Sequence, residues 1–366
     1  MIIGIPKEIR DNEFRVAMTP GGVRELTRHK HQVVIETGAG LGSGFTDNEY
    51  AQAGATVAHS ASEVWNRAGI ILKVKEPLPS EYPYLRSDLI LFAYLHLVVN
   101  EDLTRAMINS GVSGIACETV EDRAGRLPLL QPVSEVAGRM ATQIAAYYLQ
   151  KSEGGRGILM GGIPGVRPAH VVILGAGTVG TNAAQIALGM GAQVTLLDIN
   201  NDRLRYLDEV MHGRLTTIYS NEGNIADSLK TADALIGAVL ITGARAPRLV
   251  TRDMLSLMPR NSVIVDVSVD QGGCVETTRP TTHSDPTYMV DGVLHYGVPN
   301  MPGAVPRTSS LALVSASLRY IMQVADFGLE AAIEQDPGLA KGLNVFRGRV
   351  MHPVIAESLG LPMSSI

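Results

Sequence analysis

Residues 70–77, Ile-Ile-Leu-Lys-Val-Lys-Glu-Pro, read as a buried strand interrupted by two lysines. In a strand, residues 71, 73 and 75 share one face, and a lysine stem tolerates partial burial while its ammonium reaches water. The ordinary reading is a half-exposed strand. The sharper one is an ammonium that holds an anion. Lys75 stands immediately before Glu76-Pro77, where a strand must stop. A strand-end side chain reaches a cleft more readily than a mid-strand one, so Lys75 is the candidate anchor and Lys73 its solvated neighbour.

Three further residues could do chemistry. Arg15, in Asn12-Glu-Phe-Arg-Val, has a fork able to hold a carboxylate bidentately. His96, in Tyr94-Leu-His-Leu, can give and take a proton near neutrality. Asp270 follows the apolar run from Val263 and precedes Gln271-Gly-Gly. Taken singly, such residues are usually surface ion pairs, satisfied core groups or turn caps; Asp266 and Asp270 could each merely cap a turn. All four candidates fall at predicted strand ends, where parallel sheets carry their sites.

The elements that must position them alternate. Strands are predicted at Ile2–Ile5, Val33–Glu36, 70–77, Leu89–Ala93 and Ile115–Glu118. Helices open at Thr19-Pro20 and at Asp47, and another covers Ala61–Asn66. A long helix over Glu135–Gln150 is followed by a glycine-rich stretch, Gly154–Gly165, expected to be a mobile loop. Alternation resumes with strands at Val171–Leu174, Val194–Asp198, Leu235–Gly237 and Val263–Val267. A polar, proline-rich stretch, Thr277–Pro286, precedes a second long helix over Ser309–Phe327 and a tail of short helices. This is the pattern of parallel α/β sheets. The two long helices suggest a central domain, residues 131–306, inserted into a first domain made of 1–130 and 307–366.

Gly175-Ala176-Gly177-Thr178-Val179-Gly180 follows one predicted strand, opens a helical run and is followed by a second strand ending in Asp198. That is the dinucleotide fingerprint in its required context. Gly175 permits the tight turn, Gly177 lets backbone approach the pyrophosphate, and Gly180 lets helix and sheet pack closely. Asp198 can accept both ribose hydroxyls and would repel a 2′-phosphate, which favours NAD over NADP.

Composition bounds the rest. The 366 residues are 45% hydrophobic and 18% charged with a net charge of −5, an ordinary globular balance, and the length suggests two domains. No basic run points to nucleic acid, and no stretch reads as a membrane span. The N-terminus lacks a signal-peptide layout. Cys117 and Cys274 match no disulfide framework or metal spacing and read as buried small residues. A reducing cytoplasm is the expected setting.

Over essentially its whole length the chain resembles the alanine dehydrogenases. The resemblance rests on Gly4–Arg10 with Arg15–Pro20, Val74–Pro77, Tyr94–Leu97, Pro132–Gly138, Val265–Cys274, Arg279–His283 and Asn300–Arg307. It implies oxidative deamination of L-alanine to pyruvate and ammonium with NAD, and the reverse reaction. It implies that Arg15 and Lys75 hold the substrate and that His96 and Asp270 carry the acid–base steps. It places the cofactor on Ser134, Val179, Asp198, Ser220, Val239, Leu240, Val267, Ser268, Val269, Asp270, Val298, Pro299, Asn300 and Met301. It further implies two Rossmann-like doubly wound domains with a cleft between them, usually in a homo-hexamer. The chain departs from the family at Val133, where methionine is common, and at Gly297 and Pro299, where a cysteine and an alanine are common; Val133 suggests a roomier pocket that takes 2-oxobutyrate. Where some relatives bind a divalent ion through an acid and a histidine this chain has Gln323 and Phe327, so no metal is expected. The same resemblance extends to the NAD-binding subunit of a transhydrogenase, and a catalytically silent NAD-binding protein is the remaining alternative. The presence of Arg15, Lys75 and His96 argues against both.

Overall fold

The structure, a computed structural model, describes residues 1–239 and 245–364. The chain forms two units, Met1–Val133 with Gly303–Ile366, and Ser134–Pro302.

Numbering strands along the chain, the first unit is built on β1 (Ile2–Ile5), β2 (Gln32–Glu36), β3 (Thr56–Ala58), β4 (Ile70–Leu72), β5 (Ile90–Ala93), β6 (Ser113–Ala116), β14 (Leu343–Phe346) and β15 (Arg349–Val350). They form one sheet in the order β15-β14-β6-β5-β4-β1-β2-β3. β1 to β6 run parallel; β14 and β15 are antiparallel additions at the β6 edge. The second unit contains β7 (His170–Leu174), β8 (Gln193–Asp198), β9 (Thr216–Tyr219), β10 (Ala234–Gly237), β11 (Val263–Asp266), β12 (Thr287–Val290) and β13 (Val293–Tyr296), in the order β12-β13-β11-β10-β7-β8-β9. All are parallel except β12. Each unit is therefore a doubly wound α/β fold, with the parallel sheet that alternation predicts and the winding that the resemblance implies. The strand order reverses between β1 and β4 in the first unit and between β7 and β10 in the second. In open parallel sheets, ligands bind outside the carboxyl ends of the strands at such reversals.

Helix starts follow their caps. Thr19 accepts from the Gly22 N–H, and Pro20 takes the first position of the helix Pro20–Arg28. Thr46, not Asp47, caps the next helix, forming a capping box with Glu49; Asp47 instead accepts from Thr37 and Gly38. The long helices run over Gln131–Tyr148 and Pro306–Phe327. In the first, Val136, Ala137, Met140, Ala141 and Ala145 are buried. The glycine-rich stretch is tied down at its start, where the Gly155 N–H bonds the Gln150 carbonyl and the Gly157 N–H bonds the Leu149 carbonyl. β3, β9, β12, β13, β14 and β15 lie in segments that give no clear strand signal in the sequence.

The cores lie on the sheet faces. In the first unit Ile3, Ile5, Val33, Ile35, Ile70 and Leu72 pack with Val314, Tyr320, Ile321 and Val324 of the late helix, while Val64, Trp65, Ile71, Leu91 and Met107 fill the other face. In the second, Val172, Leu174, Leu197, Leu235 and Ile264 form one face. Each such side chain contributes roughly 1.5–3 kcal/mol on burial, which keeps the strand ends in place. Cys117 and Cys274 are both buried, and burial pushes each thiol's pKa up.

Candidate active site

In the first unit, Arg15, Lys75 and His96 follow β1, β4 and β5, three neighbouring strands. The carboxyl ends of these strands lie about 4.8 Å apart from one to the next, with Arg15 on the longer segment after β1. Pairing continues briefly beyond the assigned strands: the Lys73 N–H bonds the Phe92 carbonyl at 3.1 Å, and the Tyr94 N–H bonds the Val74 carbonyl at 3.2 Å. Lys75 and His96 thus stand just past the last bonded residues.

Lys73 is not the solvated neighbour that alternation predicts. β4 ends at Leu72, and the Lys73 side chain is 1% exposed. Its ammonium lies 3.2 Å from Glu8 Oε2 and 3.0 Å from Glu81 Oε1. Burial alone would lower its pKa, but the two carboxylates lift it above the ordinary lysine value. Glu8, fully buried, has its own pKa raised by desolvation. Lys75 is half-buried in the bend beyond. Its neighbour Glu76 pairs with Arg10.

Arg15 is 2% exposed. Glu13 takes the Nε–Nη2 edge of its fork, with Nε–Oε1 at 2.7 Å, and also accepts the Arg15 N–H at 3.0 Å. The bidentate grip expected of this arginine is therefore made on Glu13.

His96 has φ +49, in the left-handed region, which costs a non-glycine residue about 1 kcal/mol or more. Glu118, at the end of the neighbouring β6, holds this turn. Its Oε1 accepts the His96 N–H at 2.6 Å and its Oε2 the Leu95 N–H at 3.2 Å. The same Oε1 lies 3.9 Å from His96 Nδ1. Tyr94 stacks on the imidazole with ring centres 6.4 Å apart, and its hydroxyl donates to the Leu129 carbonyl. The sequence reading passed over Glu118, which holds this turn; the signal was a carboxylate ending the predicted strand Ile115–Glu118.

In the second unit the glycine loop follows β7. Gly175 has φ +101. A Cβ on Gly180 would lie 1.8 Å from the Gly175 carbonyl oxygen, whereas one on Gly177 would meet nothing within 4 Å. Protein packing thus accounts for Gly180 but leaves Gly177 to an approaching ligand. The helix Thr178–Gly189 begins with no side-chain cap among the described residues, unlike the helices started by Thr19, Ser60, Asn200 and Asn221. Uncapped N–H groups and a dipole directed at an exposed Gly177-Thr178 suit a pyrophosphate.

Asp198 ends β8. Its carboxylate accepts the Ala176 N–H at 2.6 Å and the Asn200 N–H at 2.8 Å, so it shapes the loop. Arg203, which the sequence does not single out, braces the loop: Nε donates to the Ala176 carbonyl at 2.8 Å and Nη2 to Thr181 at 2.9 Å. Ser220 follows β9, its N–H bonded to the Asp198 carbonyl. Ser268 clamps Val239, accepting its N–H at 3.1 Å and donating to its carbonyl at 2.8 Å. Leu240 lies outside the described residues. Val179 and Val267 are half-buried.

Asp270 is exposed on the short turn Val267–Gln271 after β11. The turn hangs on Asp266, 1% exposed, which accepts from the N–H groups of Ser268, Cys274 and Val275 and from the Thr278 hydroxyl. Capping is thus the role of Asp266. Val269, Val298 and Met301 are buried, Ser134 and Pro299 half-buried, and Asn300 adopts φ +60. A Cβ on Gly297 would lie 2.4 Å from the Arg279 carbonyl oxygen, so any larger residue here would push residue 279 aside.

Residues 4–137 match the N-terminal domain model of the alanine dehydrogenase/PNT family and residues 141–353 its C-terminal domain model. The chain belongs to the alanine dehydrogenase family. The alanine dehydrogenase of Methanococcus maripaludis is 53% identical over 99% of this chain and 97% of its own length. That of Bacillus subtilis is 53% identical over 98% and 95%, respectively. A solved L-alanine dehydrogenase superposes with a TM-score of 0.96 at 51% identity, covering 98% of this chain and 99% of its own. A transhydrogenase from Sinorhizobium meliloti superposes with a TM-score of 0.82 at 29% identity, covering 96% of this chain and 99% of its own.

Gln323 spends its amide N–H on the Ala332 carbonyl at 3.1 Å, and Phe327 is an exposed ring with no lone pair. No helix among the described residues is long and apolar enough to cross a membrane.

Proposed function

We propose that the protein catalyses the NAD-dependent oxidative deamination of L-alanine to pyruvate and ammonium, and the reverse reductive amination. The observation that carries this reading is the full-length likeness to alanine dehydrogenases in a chain whose Arg15, Lys75 and His96 lie on the segments that follow three adjacent strands.

Gly177, Thr178 and Val179 would hold the pyrophosphate through backbone N–H groups, and Asp198 the adenosine ribose, with Ser134, Ser220, Val239, Val267 to Asp270 and Val298 to Met301 along the remainder. When bound, NAD supplies the acceptor for the hydride lost from the alanine Cα. The chain's own task is to bind the acid and move protons. Lys75 neutralises the substrate carboxylate with Arg15 beside it; such positioning can contribute roughly 7–11 kcal/mol. Water then adds at the imine carbon. His96 takes the water proton on Nε2, since Nδ1 faces Glu118. Collapse of the carbinolamine gives pyruvate and ammonium, with Asp270 as the second acid–base group. The carboxylate of Asp198 disfavours a 2′-phosphate and supports NAD over NADP.

The resemblance supports a cytoplasmic homo-hexamer handling alanine, pyruvate and ammonium, without nucleic acid, membrane or metal, and Val133 supports some use of 2-oxobutyrate. Light scattering checks the oligomer, and a screen of 2-oxo acids the range; strict pyruvate preference removes the role given to Val133. The deciding assay is NADH formation with L-alanine. Hydride exchange between nucleotides without alanine turnover would favour a transhydrogenase subunit, and binding without turnover a silent protein. Lys75→Ala should abolish turnover while NADH still binds; a normal kcat/KM in that variant removes its role.

A further inference from the structure

We propose that Lys73 is a positioning residue for catalysis: with Glu8 and Glu81 it forms a buried clamp that sets where Lys75 presents its ammonium. This rests on the reading of Lys75 as the substrate anchor.

Three segments meet at Lys73. Glu8 comes from the loop after β1, Lys73 from the end of β4, and Glu81 from the turn beyond Pro77. Each acid also fastens a backbone group. Glu8 Oε1 accepts the Val74 N–H at 2.6 Å. Glu81 Oε2 accepts the Leu78 N–H at 2.9 Å, and its own N–H bonds the Leu78 carbonyl at 2.7 Å. The segment 74–78 is thus pinned at Val74 and Leu78, and Lys73 ties the two pins together. Arg10 adds a third hold at Glu76. Lys75 lies inside this span, so its Cα is fixed from both sides.

Burying one ammonium and two carboxylates is costly and is tolerated only where the geometry is good. An apolar strand end would need none of them; Leu72 beside Lys73 fits the core without any. A small cavity of about 20 Å³, room for about one water, borders Lys73, Val74, Tyr94 and Ser317. An unclamped residue 73 has that space to move into, carrying Val74 and Lys75 with it.

The test separates positioning from folding. Lys73→Met strands two buried acids and is expected to fold poorly. In the triple variant Glu8→Gln/Lys73→Met/Glu81→Gln no charge is stranded, and the glutamine oxygens still accept from Val74 and Leu78. Its thermal midpoint should return near that of the parent protein. Its KM for pyruvate should nevertheless stay raised about tenfold or more, with the NADH dissociation constant within about twofold of the parent's. Hydrogen exchange at the Val74–Glu76 amides should be faster. A triple variant with parental stability and parental KM for pyruvate makes Lys73 merely structural and overturns the proposal. Lys75→Ala, run alongside, distinguishes the two failures. If it keeps full kcat/KM the anchor reading falls; if it loses activity while the triple variant does not, only the clamp falls.

Discussion

Glu118 spans the turn at His96 with both carboxylate oxygens, one on the His96 N–H and one on the Leu95 N–H. The left-handed backbone at residue 96 is held by a charge on the adjacent strand end. Glu118→Gln turns an amide NH2 toward one of two N–H donors and should lower kcat/KM for alanine by about 10–100-fold. Glu118→Ala should do the same and cost about 2 kcal/mol of stability. Steady-state kinetics with parallel melts check both; unchanged kinetics for Glu118→Gln would show that the imidazole finds its place without this acid.

Gly177 and Gly180 should respond to alanine in opposite ways. A Cβ at 180 meets the Gly175 carbonyl at 1.8 Å, while one at 177 meets open space. Gly180→Ala should destabilise the protein by about 2 kcal/mol or more. Gly177→Ala should melt as the parent does but weaken NADH binding at least about tenfold. Fluorescence titration of NADH beside thermal melts decides it, and tight binding by Gly177→Ala would remove the phosphate role of the loop.

Asp198 serves the loop and, in the proposed function, the coenzyme choice. Asp198→Ser removes a charge that would face a 2′-phosphate, an interaction of about 4 kcal/mol per charge at close range near a surface. The ratio of kcat/KM for NADP to that for NAD should rise on the order of 100-fold. Some stability should be lost with the Ala176 and Asn200 contacts, about 1–3 kcal/mol. A ratio that does not move would relocate the discrimination.

His295 should make the protein acid-sensitive. It is 1% exposed; its Nδ1 faces the Val293 carbonyl at 3.0 Å and its Nε2 the Thr277 hydroxyl at 2.8 Å. Burial holds its pKa below the ordinary histidine value despite Asp266 and Asp291. As pH falls through about 6.5 the unfolded chain takes up a proton that the folded one refuses, so stability present above that pH is lost below it, until the folded pKa is reached. One such proton is worth about 1.4 kcal/mol per pH unit. His295→Gln should flatten the decline in thermal midpoint between pH 7 and 5; equal slopes would assign the loss elsewhere, His170 being the next candidate, since burial lowers its pKa too.

Much of the fold was legible because apolar runs show where strands stop. Lys75, His96 and Asp270 were chosen as candidates from strand ends, and Asp198 from the glycine fingerprint and the strand after it; alternation gave the parallel sheets, and the resemblance their doubly wound arrangement. Lys73 was misread for a definite reason: alternation predicts a face only while a strand lasts, and β4 ends at Leu72. Its partners stand at positions 8 and 81, a pairing that exists only once β1 and β4 are neighbours. Glu118 was hidden the same way, since its task depends on β5 lying beside β6. Asp47 lost the cap to Thr46 because both are good caps and only the capping box with Glu49 decides between them. β9 and β12 are only partly buried edge strands and carry no strong apolar signature. β14 and β15 lie in a tail of short helices that hides them.

β14 bonds to β6, so a strand from the last thirty or so residues completes a sheet begun at the second residue. During synthesis the segment Ser134–Pro302 emerges whole and can fold as it leaves the ribosome. The opening 133 residues lack the late helix that packs on their core and the strand that pairs the β6 edge until Leu343–Phe346 has cleared the exit tunnel. Nascent chains stalled before Leu343 should therefore remain protease-sensitive in their first third while their middle is already resistant.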